Sequence, residues 1–200
     1  GAVLLGAGVA GLAGGFVQRG AGVSSSRQAV AAKIPDVPAP PIPPRADFAA
    51  SGTPAFLTSN RDFYRIDTAL VVPQLSAEDW QLRLHGMVQR ELVLSYDDLL
   101  RRRLESRAIT LTCVSNPVGV PLISTAVFTG VPVRDLLLEA GVRPGAQQLF
   151  TTSVDGYTAG TPLDVLLEPD RGALLAVAMN GEPLPEEHGF PVRMVVPGLY

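Results

Sequence analysis

His188-Gly189-Phe190-Pro191-Val192-Arg193-Met194-Val195-Val196-Pro197-Gly198 governs the reading of the chain. Residues 191–196 are mostly aliphatic and β-branched, which reads as a strand bound for the interior. One cation, Arg193, interrupts it. A guanidinium among buried residues needs a partner, because an uncompensated interior charge is costly. The segment therefore builds core and carries polar groups into it.

Working back from there, residues 174–179 read as a strand turned by Asn180-Gly181. Residues 162–167 read as a short helical turn. Residues 148–154 read as a strand closed by Asp155-Gly156. Residues 131–140 form a helix stopped by Gly141. Ile109-Thr110-Leu111-Thr112-Cys113 alternates and is rich in β-branched residues, so it is a strand with Cys113 at its end. Ser95 is an N-cap with acids in the turn that follows. Trp80-Gln81-Leu82-Arg83-Leu84-His85-Gly86 alternates cleanly, and residues 64–72 alternate weakly as a further strand. Strands and short helices alternate irregularly, which defines an α+β class with a mixed sheet rather than regular βαβ winding.

Residues 1–17 carry no charge and are nearly all small or apolar. They read as the end of a transmembrane helix, which needs roughly 20 apolar residues. A competing reading is a dinucleotide turn, since Gly6-Ala7-Gly8-Val9-Ala10-Gly11 fits G-x-G-x-x-G. Its ribose-holding acid would be Asp36, which lies in Ile34-Pro35-Asp36-Val37-Pro38, poor strand material. The expected domains are a helix end at 1–18, a Pro-rich linker at 19–50, and a globular domain at 51–200 cut before its own end. With 46% hydrophobic and 18% charged residues the chain can build a core. A net charge of −3 offers no nucleic-acid surface.

Chemistry centres on Cys113, the only cysteine. A thiol at a strand end, before the turn Ser115-Asn116-Pro117-Val118-Gly119, suits a metal ligand or nucleophile, and equally a structural cysteine. Zinc needs three or four protein ligands, and His85 and His188 are not spaced to provide them. A serine hydrolase elbow is absent. One metal site works with a single thiolate: one whose cofactor brings its own sulfurs, as a pterin dithiolene does. Such a cofactor also needs donors for its phosphate, and Arg65, His188 and Arg193 are the candidates.

Four segments, in order, resemble the molybdopterin-binding domain of the sulfite oxidase family. They are Phe63-Tyr64-Arg65-Ile66-Asp67, Thr110-Leu111-Thr112-Cys113-Val114-Ser115-Asn116, Ala178-Met179-Asn180-Gly181-Glu182-Pro183-Leu184-Pro185, and the His188-Gly198 stretch. The resemblance implies a molybdenum–molybdopterin cofactor with Cys113 as metal ligand. It implies that Tyr64, Arg65, Ser115, Asn116, His188 and Arg193 line the cofactor, with Asp155 a further pocket residue and Arg65 acting beside Cys113 in catalysis. Animal members carry arginines after the cysteine, where this chain has Val114-Ser115-Asn116-Pro117.

The implied activity is two-electron oxygen-atom transfer on a small oxoanion or sulfoxide-like substrate. Electrons would pass singly to a cytochrome or quinone-linked partner. A membrane anchor with the catalytic domain outside the cytoplasm is expected, as in membrane-anchored bacterial members. The alternatives are a flavin or nicotinamide enzyme using Gly6 to Gly11, and a non-catalytic membrane-tethered domain of the same fold.

Overall fold

The computed structural model describes residues 2–7, 19–67 and 71–199. Period-two burial marks the strands Gln81–Gly86 and Leu92–Ser95 and the later part of Glu105–Thr112. In β2 (Gln81–Gly86) Leu82 and Leu84 are buried while Gln81 and Arg83 face water. Strand β2 pairs antiparallel with β3 (Leu92–Ser95) and with β1 (Ala2–Ala7). On its other edge β1 runs parallel to β6 (Gln148–Thr152), which forms a hairpin with β7 (Thr158–Pro162). The first sheet is thus ordered β3-β2-β1-β6-β7.

The second sheet holds β4 (Glu105–Thr112), β5 (Ile123–Pro132), β8 (Leu174–Met179) and β10 (Arg193–Val195), in the order β10-β8-β5-β4. The two-residue β9 (Glu182–Pro183) folds back on β8 through Asn180-Gly181. Every residue of β8 is buried, as a continuous apolar run demands of an inner strand. Gly130 lets β5 and β8 meet. A Cβ there would lie 2.2 Å from the Leu175 carbonyl oxygen, at the point where the register slips between Thr129 and Gly130.

Helix α2 (Tyr96–Leu100) starts on a capping box between Ser95 and Asp98. Helix α3 (Val133–Ala140) follows β5 directly and ends at Gly141 with φ +69°. Helix α4 (Leu163–Leu167) is the expected short turn. Phe128, Leu136, Leu137, Leu149, Leu174 and Met179 are fully buried at the centre of the core.

Three expectations need correction. Residues 2–7 form a strand, not a helix: the run is too short to show helical periodicity, and β2 and β6 satisfy its backbone from both sides. The rest of the presumed membrane segment and of the glycine motif, residues 8–18, lies outside the described residues. Among the described residues no helix is long and apolar enough to cross a membrane. Second, part of the linker is the helix α1 (Arg19–Ala31). Its glycines and serines are weak helix formers, so packing decides. Val23, Ser26 and Val30 share a buried face. The Ser26 hydroxyl donates to Glu78 (2.7 Å) and accepts the Ala77 N–H (3.0 Å). Third, residues 64–67 are irregular rather than a strand, and strand β10 is shorter than the expected 191–196.

Candidate functional site

Cys113 opens the loop that joins β4 to β5. Its N–H donates to the Leu122 carbonyl (2.9 Å), prolonging the hairpin by one rung. The Asn116 N–H returns to the Cys113 carbonyl (3.1 Å), and the Asn116 Oδ1 accepts the Leu122 N–H (3.1 Å). The loop holds the thiol at its mouth, half-buried, with the Ser115 N–H aimed at Sγ from 3.5 Å.

A second segment is laced along β5. The Thr58 N–H donates to the Thr125 carbonyl (2.7 Å) and the Tyr64 N–H to the Ser124 hydroxyl (3.1 Å). Phe63 is buried, stacked on Tyr64 at 5.4 Å and edge-on to His188 at 5.3 Å. Burial raises the pKa of the Tyr64 phenol, the Arg193 charge opposes that, and the Cys113 thiolate reinforces it. Tyr64 thus stands within electrostatic reach of both Cys113 and Arg193, residues far apart in sequence. Arg65, one residue on, is paired with Asp67.

The third segment is the short 3-10 turn Glu186–His188 and the start of β10. His188 is 4% exposed, and its Nε2 lies 3.2 Å from the Asn60 carbonyl oxygen. A carbonyl only accepts, so Nε2 carries the proton and Nδ1 is left as an acceptor. Burial is the main cause lowering the His188 pKa below the ordinary value; the Asn60 carbonyl opposes it, and Arg193 and Arg65 add to it. Gly189 follows with φ +99°, and a Cβ there would come within 3.0 Å of the Arg193 side chain. Arg193 makes one hydrogen bond, from Nη1 to the His188 carbonyl at 3.4 Å, and no ion pair among the described residues. Burial lowers its pKa, against the pull of Tyr64 and Asp67.

Tyr64, His188 and Arg193 are linked through Phe63 and the His188 carbonyl, Arg65 follows Tyr64 in the chain, and Cys113 extends the β4–β5 hairpin to which Tyr64 is tied through Ser124. Ser115 takes part through its backbone N–H and Asn116 as a loop brace. Asp155 stands apart in the β6–β7 turn of the first sheet. There it is exposed, and its carboxylate accepts the Ser153 hydroxyl and the Tyr157 N–H. Two residues of the site carried no flagged role in the sequence: Asn60, which faces His188, and Asn180, which holds Asn60 (2.8 Å). Asn180 sits in a recognised turn, but its long-range bonds leave no local signal.

Among the described residues no three of His, Cys, Asp and Glu cluster to hold a metal. The donor set is one soft thiol, a neutral imidazole and a guanidinium with donor capacity to spare. This suits a metal group that supplies its own sulfurs and carries a phosphate. The class so defined is a mixed α+β domain with the donors to bind an anionic, sulfur-bearing cofactor.

The comparisons with known proteins agree. Residues 69–200 match the family described as the oxidoreductase molybdopterin binding domain, and the chain belongs to that family. Its cofactor is molybdenum–molybdopterin. The inducible NADH nitrate reductase 2 of Glycine max is 34% identical over a match covering 64% of this chain and 17% of that protein. The NADPH nitrate reductase of Aspergillus niger is 33% identical, covering 72% and 19%. The chain thus spans less than a fifth of these curated relatives. Among solved structures, the sulfane dehydrogenase SoxCD of Paracoccus pantotrophus shares the fold, with a TM-score of 0.65 at 23% identity, covering 94% of this chain and 52% of that one.

Proposed function

We propose that the domain performs two-electron oxygen-atom transfer on a small oxoanion or sulfoxide-like substrate, with Cys113 as the protein ligand of molybdenum. The observation that supports this reading is geometric: the Tyr64 segment is tied to Ser124 of the hairpin that bears Cys113, while Phe63 abuts His188 and Arg193 bonds the His188 carbonyl. When bound, the cofactor supplies the two-electron redox change and the oxygen transfer. The protein supplies attachment, orientation and field.

In this reading Cys113 Sγ, oriented by the Ser115 N–H, would hold the metal. Arg193 offers its unused N–H donors to the cofactor phosphate or to the incoming anion. His188, neutral and protonated on Nε2, would keep Nδ1 as an acceptor toward the cofactor. Arg65 reaches the substrate when it leaves Asp67. Asp155 serves only if ligand contact draws the β6–β7 turn inward. The likeness to nitrate reductases supports nitrate as one oxoanion for this reading. A one-electron partner, cytochrome or quinone-linked, and a position on the outer face of a membrane complete the proposal.

Replacing Cys113 by Ser in the full chain tests it. The serine hydroxyl can still accept the Ser115 N–H, so the circular dichroism spectrum should be unchanged. X-ray absorption at molybdenum should lose one sulfur neighbour, and turnover of nitrate and of sulfoxides should vanish. Retained turnover refutes the assignment.

A further inference from the structure

We propose that Asn180 is a positioning residue: acting through Asn60, it fixes the ring orientation and tautomer of His188 at the cofactor site. The inference depends on His188 belonging to that site, but not on the substrate or on the reaction performed there.

Asn180 turns β8 into β9 with φ +51°, a left-handed conformation that asparagine tolerates better than most side chains. Its side chain then reaches across the sheet edge. Oδ1 accepts the Val127 N–H of β5 at 2.9 Å. Nδ2 donates to the Thr58 carbonyl at 2.9 Å and to Asn60 Oδ1 at 2.8 Å. The Asn60 amide returns the contact, donating from Nδ2 to the Met179 carbonyl at 3.1 Å. Both Nδ2 hydrogens of Asn180 are thereby spent on the loop that bears Asn60, Phe63 and Tyr64.

That loop is what His188 sees. The Asn60 carbonyl faces Nε2, and the Phe63 ring abuts the imidazole edge-on. If the loop drifts, Nε2 loses the acceptor that makes it the protonated nitrogen, and the ring is free to exchange tautomers or flip. Few side chains can replace Asn180. Aspartate tolerates the turn but would aim lone pairs at two acceptors. Alanine and serine lack the reach and strain the turn. Glycine keeps the backbone and deletes only the network.

Asn180→Gly is therefore the decisive variant. Nitrogen-15 NMR of histidine-labelled full chain, without cofactor, reads the tautomer directly, with His188→Gln used to assign the resonance. In the parent, His188 should show a single Nε2-protonated tautomer. In Asn180→Gly its two nitrogen shifts should converge toward averaged values while those of His85, on β2 of the other sheet, stay put. Pterin per chain should fall by up to about tenfold, the value of one lost hydrogen bond at the site. A folded Asn180→Gly chain with parental His188 shifts overturns the proposal. Should that variant fail to fold, Asn60→Ala decides the matter. It leaves the Asn180 bonds to Val127 and Thr58 in place and should produce the same convergence, and its absence is equally fatal. Loss of oxygen-atom transfer with normal His188 shifts would count against this inference alone. Altered shifts with no oxygen-atom transfer in the parent would count against the proposed reaction alone.

Discussion

Replacing Arg193 by Met separates what the guanidinium does for the fold from what it does for the ligand. Among the described residues its only hydrogen bond is long, 3.4 Å to the His188 carbonyl, and no carboxylate pairs with it. Charges taken from water with so little in return are a liability, and apolar replacements of such groups gain about 1–4 kcal/mol. Arg193 is only partly buried, which sets the expectation near the low end, about 1 kcal/mol. For a chain of this size that is a rise in Tm of about 2–4 °C. Methionine keeps an unbranched stem against Gly189, where the Arg193 stem now packs. The ligand should respond the opposite way. A charged hydrogen bond to phosphate is worth about 1.5–3 kcal/mol, so cofactor affinity should fall by roughly tenfold to a hundredfold. Thermal melts of the cofactor-free chain, beside molybdenum and pterin content of chains loaded in parallel, measure both. A fall in Tm of several degrees, or unchanged cofactor content, would show that Arg193 is a structural residue and refute the reasoning.

Gly189→Ala should cost about 1–2 kcal/mol, because φ +99° is forbidden ground for alanine and its Cβ would press on Arg193 at 3.0 Å; urea melts check it, and a neutral result would mean the turn relaxes freely. Acid should weaken the fold through His188. Its folded pKa lies below the ordinary value, mainly through burial, so the unfolded chain takes up the proton first. The contribution is complete above about pH 6.5 and shrinks as pH falls through that value. Melting temperature against pH should therefore drop more steeply for the parent than for His188→Gln, and parallel curves would contradict this.

The strands and caps that local chemistry dictates were legible in the sequence. Alternation marked β2 and β4, the Ser95–Asp98 box marked α2, and Gly141 marked the end of α3. Arg193 stood out as a cation in an apolar run, Cys113 as the one thiol at a strand end, and His188 as a donor in the segment carrying the family resemblance. What stayed hidden depends on partners distant in sequence. Helix α1 has weak intrinsic propensity and forms against Glu78, Pro183 and Leu184, to which Ser26 and Arg27 bond. Residues 2–7 look the same as strand or helix until β2 and β6 are placed beside them. The link from Asn180 to Asn60 spans 120 positions, and no local pattern announces it. Asp155, implied by the resemblance as a pocket residue, lies in the β6–β7 turn, where its oxygen accepts the Tyr157 N–H.

The site is assembled from segments that share one support. Cys113 hangs from the β4–β5 hairpin, Tyr64 is tied to Ser124 of β5, and Arg193 pairs in register with Ala176 of β8. Asn180 bonds β5 from the end of β8. The candidate ligand contacts sit at strand ends and turns, while β8 is apolar and meets β5 closely at Gly130, and the buried Thr125 and Thr129 hydroxyls of β5 bond β4 partners. This division matters because a cofactor contact misplaced by an ångström loses most of its worth, and rigid strands hold position better than loops. The supporting pair has no freedom to vary without moving Cys113, Tyr64, His188 and Arg193 together. The Cys113–Leu122 loop is different. Its exposed Val114 and Val118 bear no load in the core and no charge, so it can change the lip around the thiol while the frame beneath stays fixed.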